Sequence, residues 1–183
     1  FNIDYEGDYN VYLNDPRNIN LGKKLITDKK ILIEKERLKE INETEYHEIL
    51  INHTTPYSPF DILENKSLLL ENNFDNLNAI DWDKGCYVGQ EITARMKYRG
   101  LLKKKLYALK IKNGDVLEGD ELIVDNKKIG TIVSKANSNI FAALNINFVN
   151  EIKNKNQNLV INDSLSFDFL NWKFFSIKTY WNY

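Results

Sequence analysis

Leu122-Ile123-Val124-Asp125-Asn126-Lys127-Lys128-Ile129-Gly130-Thr131-Ile132-Val133 is the stretch on which the fold turns. A short apolar run meets Asp125-Asn126, a pair that tolerates the left-handed backbone of a two-residue hairpin. Ile129, Thr131 and Val133 then recur at every second position. A period of two, interrupted by hairpin chemistry, predicts antiparallel strands. Upstream, Leu106, Ala108 and Ile111 belong to another such run. Downstream, Ile140 to Phe148, Leu159 to Ile161, Leu165 to Phe169 and Phe174 to Tyr180 continue the series of short strands. With no helix expected between them, strands at this spacing predict a small antiparallel barrel or sandwich over residues 101–183.

Before Leu101 the pattern changes, and the fold class as a whole reads as α+β. Tyr9, Val11 and Leu13 alternate into the turn residues Asn14-Asp15-Pro16-Arg17, and Lys23 to Asp28 can form a second strand. From Ile33 to Asn52 the spacing is helical: Leu38 and Ile41 lie in one stretch. Tyr46, Ile49 and Leu50 lie in another, after a cap at Asn42 or Thr44. Pro56 and Pro59 end it, so Thr54 to Ile62 is a connector. Residues 63–82 carry Leu68-Leu69-Leu70 and many Asn, with no clear period.

Composition narrows the chemistry. Lys and Arg number 25 against 26 Asp and Glu, so no global charge calls for nucleic acid or membrane. One cysteine, Cys86, excludes an intrachain disulfide and suits a reducing compartment. Two histidines and one cysteine are too few for a self-contained zinc or iron–sulfur site. No apolar run approaches the roughly 18 residues of a membrane span. The chain opens at Phe1 on residues that read like the interior of a domain, and is expected to be a piece of a longer protein.

The chemistry is concentrated in Asp81 to Gly100. Gly85 and Gly89 bracket Cys86 and allow backbone conformations closed to other residues. Ile92 and Met96 are spaced for a short helix from about Gly89 to Tyr98. Glu91 and Arg95 pair on one face of it, and Gly100 ends it in a left-handed cap. Cys86 then precedes a helix N-terminus and stands two residues from Lys84, features that favour thiolate over thiol. The alternative is a small buried hydrophobe in a tight turn. His47 and His53 are distant in sequence and are expected on a helix surface.

Lys84-Gly85-Cys86-Tyr87-Val88-Gly89-Gln90-Glu91 resembles the signature of the YgfZ-type proteins, and the match runs on through Ala94-Arg95 and Tyr98-Arg99-Gly100. Asp15-Pro16-Arg17 with Leu21-Gly22 resembles the D-P-R…L-G segment of that family. Leu70 to Asp75 resembles its L-E-x-N-L-D segment, and Lys128 to Ser134 its V-G-x-V-x-S strand. The likeness is closest to the alphaproteobacterial and mitochondrial branch.

The resemblance implies an aminomethyltransferase-like fold similar to the T-protein of glycine cleavage. Residues 1–80 would be an incomplete α+β folate-binding domain, 81–100 the signature turn and helix, and 101–183 a C-terminal β-barrel. It implies a protein that binds tetrahydrofolate or a derivative and supports assembly or repair of iron–sulfur enzymes, including tRNA-modifying ones, without glycine-cleavage activity. Much of the folate pocket is expected from the family's region upstream of Phe1. Glu71, Asn73 and Asp75 are the candidate folate contacts in this chain. Cys86 is the candidate functional thiol and transient cluster ligand. Partners would be iron–sulfur assembly proteins or client enzymes, in the bacterial cytoplasm or the mitochondrial matrix.

Two other readings compete. A true folate-dependent aminomethyltransferase would need acid–base groups near the folate, with Glu71 and Asp75 the candidates. An RNA-binding module would use Lys97, Arg99 and Lys103-Lys104-Lys105 with Tyr98 and Tyr107 interleaved. Such a basic run is ordinarily a solvated face.

Overall fold

The computed structural model of the chain describes residues 11–26, 39–85, 88–155, 157–162 and 164–170. Two strands, β1 (Val11–Asn14) and β2 (Lys23–Ile26), form an antiparallel hairpin. Helix α1 (Glu43–Asn52) follows, then a long stretch of turns, then helix α2 (Gln90–Tyr98). The remainder comprises β3 (Lys104–Asn113), β4 (Glu121–Val124), β5 (Lys127–Ala136), β6 (Asn139–Asn145), α3 (Ile146–Asn154), β7 (Leu159–Asn162) and β8 (Leu165–Phe169). The predicted strand Phe174 to Tyr180, the position Tyr9 and the stretch Ile33 to Leu38 lie outside the described residues.

Strands β3 to β8 make one six-stranded antiparallel sheet in the order β4-β5-β6-β3-β8-β7. Its two edges, β4 and β7, come into contact, so the sheet curls into a nearly closed barrel. Asp125 and Asn126 both take positive φ (48° and 59°), as a two-residue hairpin of this twist requires. The barrel interior holds Leu109, Ile132, Ile140, Leu144, Leu159 and Phe167, each at most 1% exposed. Burial of each such side chain stabilises by about 1.5–3 kcal/mol.

One expectation is corrected here. The strand predicted from Ile140 to Phe148 stops at Asn145, and a helix intervenes in the barrel half. The Asn145 side chain accepts from the backbone N–H of Asn147 (2.9 Å) and Phe148 (3.3 Å), which caps α3. Val149 and Ile152, three apart, then turn one face of α3 into the barrel core. Alternation up to Phe148 masked that switch of period.

The sheet also buries part of its outer face. Leu106, Ala108, Ala136 and Phe141 point away from the barrel interior and pack with Ile51 of α1. Of the two caps proposed for α1, Asn42 serves. Its side chain accepts from Glu45 N–H at 2.8 Å, and the Glu45 carboxylate accepts from Asn42 N–H at 3.0 Å. The helix thus begins at Glu43, and its buried stripe is His47, Leu50 and Ile51.

Candidate functional site

A cleft of about 1150 Å³ lies between the turns of residues 61–72, helix α2, and the outer face of β3, β5 and β6. Of the predicted site residues, Glu71, Glu91 and Arg95 line it. Helix α2 forms one wall and starts where the signature ends. Gly89 sits at its N-cap in the left-handed region (φ +86°), a conformation that favours glycine, and Gly100 follows its end at φ +61°. Gln90 opens the helix, and the Arg95 guanidinium donates to the Glu91 carboxylate one turn away, as predicted. Lys84, Gly85, Val88 and Gly89 are exposed, Val88 completely. Cys86 and Tyr87 lie outside the described residues. Among those residues, no group of three or more His, Cys, Asp or Glu could hold a metal ion.

The segment Leu70 to Asp75 is fastened to the start of β3. Leu106 N–H donates to the Glu71 carbonyl at 2.7 Å, and the Asn73 amide donates to the Leu106 carbonyl at 2.8 Å. Asn73 is completely buried and takes φ +64°. The Glu71 and Asp75 carboxylates each meet a lysine, Lys104 and Lys105 respectively, at 3.3 Å. Asn73 and Asp75 are therefore engaged in holding β3, and Glu71 alone of the three faces the cleft. Asn73→Ala should lower stability by about 2–3 kcal/mol, from the orphaned carbonyl and the strained backbone, and Asn73→Gly by clearly less. Urea unfolding of both variants checks this, and equal losses would mean the left-handed backbone contributes nothing.

The RNA reading loses its main supports. Tyr107 is buried, edge-on to Phe169 inside the barrel, and burial pushes its phenol up to about 12. Lys104 and Lys105 are paired, and Lys97 lies over the Trp82 ring at 3.5 Å, its pKa lowered by burial.

Sequence reasoning missed a buried polar lock. His47, expected on a surface, is only 5% exposed; its Nε2 sits 2.9 Å from Asp61 Oδ1. Asp61 is 1% exposed and also accepts from Tyr57 N–H at 2.7 Å and from the Ser134 hydroxyl. The lock joins α1, the connector and β5. Its signal was present: His47 stands three and four residues before Leu50 and Ile51, on the apolar stripe of α1. A β-bulge completes it. The β5–β6 register shifts between Ile132 and Ser134, pairing Ser134 with the outward-facing Phe141 and so aiming its hydroxyl at Asp61. Gly130 of the same motif has a packing reason: a Cβ there would lie 2.5 Å from the Ala143 carbonyl oxygen.

The D-P-R motif is a second electrostatic clasp. Buried Asp15 accepts from Arg17 Nε (3.0 Å), Nη2 (2.8 Å) and backbone N–H (3.0 Å), with Lys24 at 3.4 Å. Chiefly through the Arg17 side-chain bonds, the Asp15 pKa is held down at about 2. A carboxyl lowered on folding contributes stability that is complete above its unfolded pKa. That stability is lost as pH falls through the folded value. Asp15 should therefore contribute about 1–2 kcal/mol above pH 4, discounted because Arg17 and Lys24 are partly exposed, and lose it between pH 4 and 2. Asp15→Asn should flatten that part of the stability–pH curve. An unchanged slope would show the clasp to be inert.

No protein-family profile matches the chain. The relatives it matches are named iron–sulfur cluster assembly factors, the role that the resemblance of the signature and flanking motifs implied. Individually, the chain is 34% identical over 121 residues to the "Iron-sulfur cluster assembly factor IBA57 homolog, mitochondrial" of Dictyostelium discoideum, covering 62% of this chain and 30% of that protein. It is 32% identical over 101 residues to the mouse IBA57 and 30% identical over 102 residues to the human one. Those matches cover 54% and 55% of this chain, and 28% of each relative. The chain thus matches less than a third of the length of these relatives.

Proposed function

We propose that this chain is part of an iron–sulfur cluster assembly factor in which Cys86 handles the cluster as cargo. The observation that carries the reading is the cysteine signature, Lys84 to Glu91, in a chain whose relatives are named for that role. A helix N-terminus follows the cysteine and Lys84 precedes it, which favours the thiolate. A single thiolate supplies one of the roughly four ligands a cluster needs, so transfer to or from a partner protein fits it better than storage. Assembly proteins or client enzymes, tRNA-modifying ones among them, are the proposed partners. The compartment would be the mitochondrial matrix, the relatives being named as mitochondrial, or the cytoplasm of a bacterium.

The test is genetic. A strain lacking its own such factor should regain the activity of cluster-dependent enzymes when the full-length gene is supplied. No recovery despite normal expression would sink the reading. Folate binding rests on the resemblance and is tested separately, by mass spectrometry of reduced folate retained by the purified full-length protein. The aminomethyltransferase alternative is less well supported, because its acid–base candidates Glu71 and Asp75 are paired with Lys104 and Lys105.

A further inference from the structure

We propose that the cleft beside α2 is a docking groove for an acidic, leucine-bearing segment of a partner protein. The inference stands on the cleft and does not rest on the cluster role of Cys86. At about 1150 Å³ the cleft exceeds the ~300–1,000 Å³ usual for small-molecule pockets. Its walls keep apolar side chains in water: Leu63 is 51% exposed, Leu68 37%, Ile92 59% and Leu101 48%. Exposed apolar surface gathered in a groove marks an interaction site.

Charge selects the occupant. Six cations line the cleft (Lys66, Arg95, Lys103, Lys104, Lys105 and Lys128) against three carboxylates (Asp61, Glu71 and Glu91); Lys105 and Lys128 are paired with Asp75 and Glu121 beside it, so its unbalanced positive charge is that of Lys66 and Lys103. All three carboxylates are already held, Asp61 in the buried lock, Glu71 by Lys104 and Glu91 by Arg95. Lys66 and Lys103 are exposed and make no ion pair among the described residues. A second copy presenting this face would meet its own positive charge. Nucleic acid would lack a stacking platform, since no aromatic side chain among the described residues lines the cleft. An acidic segment with apolar anchors satisfies both the rim and the walls.

The probe is a fluorescein-labelled synthetic peptide alternating Glu and Leu, compared with versions carrying Lys for Glu or Ser for Leu, followed by anisotropy with the full chain. The Glu–Leu peptide should bind, more weakly as salt rises, and each control should bind about tenfold or more weakly. Lys66→Glu with Lys103→Glu should weaken binding about tenfold through lost attraction and new repulsion. Thr131→Trp, which fills the outward-facing floor without altering rim charge, should abolish it. Both variants should keep the parent's urea midpoint. The proposal is overturned if the Glu–Leu peptide does not bind, if all three peptides bind alike, or if neither variant changes binding. It also fails if a single-stranded RNA or a second copy of the chain occupies the cleft in competition with the peptide.

Discussion

Asp61→Ala is expected to destabilise the protein by about 3–5 kcal/mol, because it strips a buried acceptor from several donors at once. The carboxylate is met by His47 Nε2, Tyr57 N–H and the Ser134 hydroxyl, and His47 and Ser134 are buried, so neither finds another partner cheaply. Each orphaned buried donor costs about 1–3 kcal/mol, less where a neighbour relaxes. In a chain of this length that corresponds to a thermal midpoint lower by about 10 °C. Ser134→Ala removes one partner and leaves the carboxylate with two, so its loss should be about 1–2 kcal/mol. Thermal and urea unfolding of the two variants supply the comparison. A loss under about 1 kcal/mol for Asp61→Ala would mean that α1 is held to the barrel by the packing of Ile51 on Phe141 and Leu106, with the lock as a bystander.

Cys86→Ser, made in the full-length protein, should fold as the parent does and fail to restore cluster-dependent enzyme activity in the deficient strain. Serine nearly matches cysteine in size, whereas its hydroxyl stays protonated near neutral pH and binds soft metals poorly. The outcome separates the two readings of this cysteine. A packing residue in a tight turn would show itself as a lower unfolding midpoint with function retained. A functional thiol shows the reverse, function lost at an unchanged midpoint. Full complementation by the serine variant would remove Cys86 from the proposed chemistry, whatever the fate of the wider assembly role.

The local signals were legible wherever one residue type has one physical use. Asp125-Asn126 could hardly be anything but a hairpin, Asn42 capped α1, and Gly89 and Gly100 bounded α2 with the backbone that glycine permits. Glu91 and Arg95, four apart, met as expected. What could not be read were encounters between distant segments. Ser134 and Asp61 are 73 positions apart, and Asn73 reaches across 33 to Leu106. Loop polar residues of this kind look solvated in sequence, and only the fold reveals that a strand has been laid over them. Helix α3 was hidden for another reason: apolar positions 146, 148, 149 and 152 serve a strand pattern at one end and a helical stripe at the other.

The bulge at Val133 makes the length of β5 a functional quantity. A strand alternates faces, so in a regular, unbulged pairing Ser134 would share the inward face of Ile132 and its hydroxyl would point into the barrel's apolar interior. Asp61 would then lose a partner although no chemical group had been deleted. Insertions and deletions should accordingly be tolerated around Leu117 and Glu118, which are exposed in the β3–β4 connection, and rejected within Lys127–Ala136. In this barrel, counting residues correctly matters as much as choosing them.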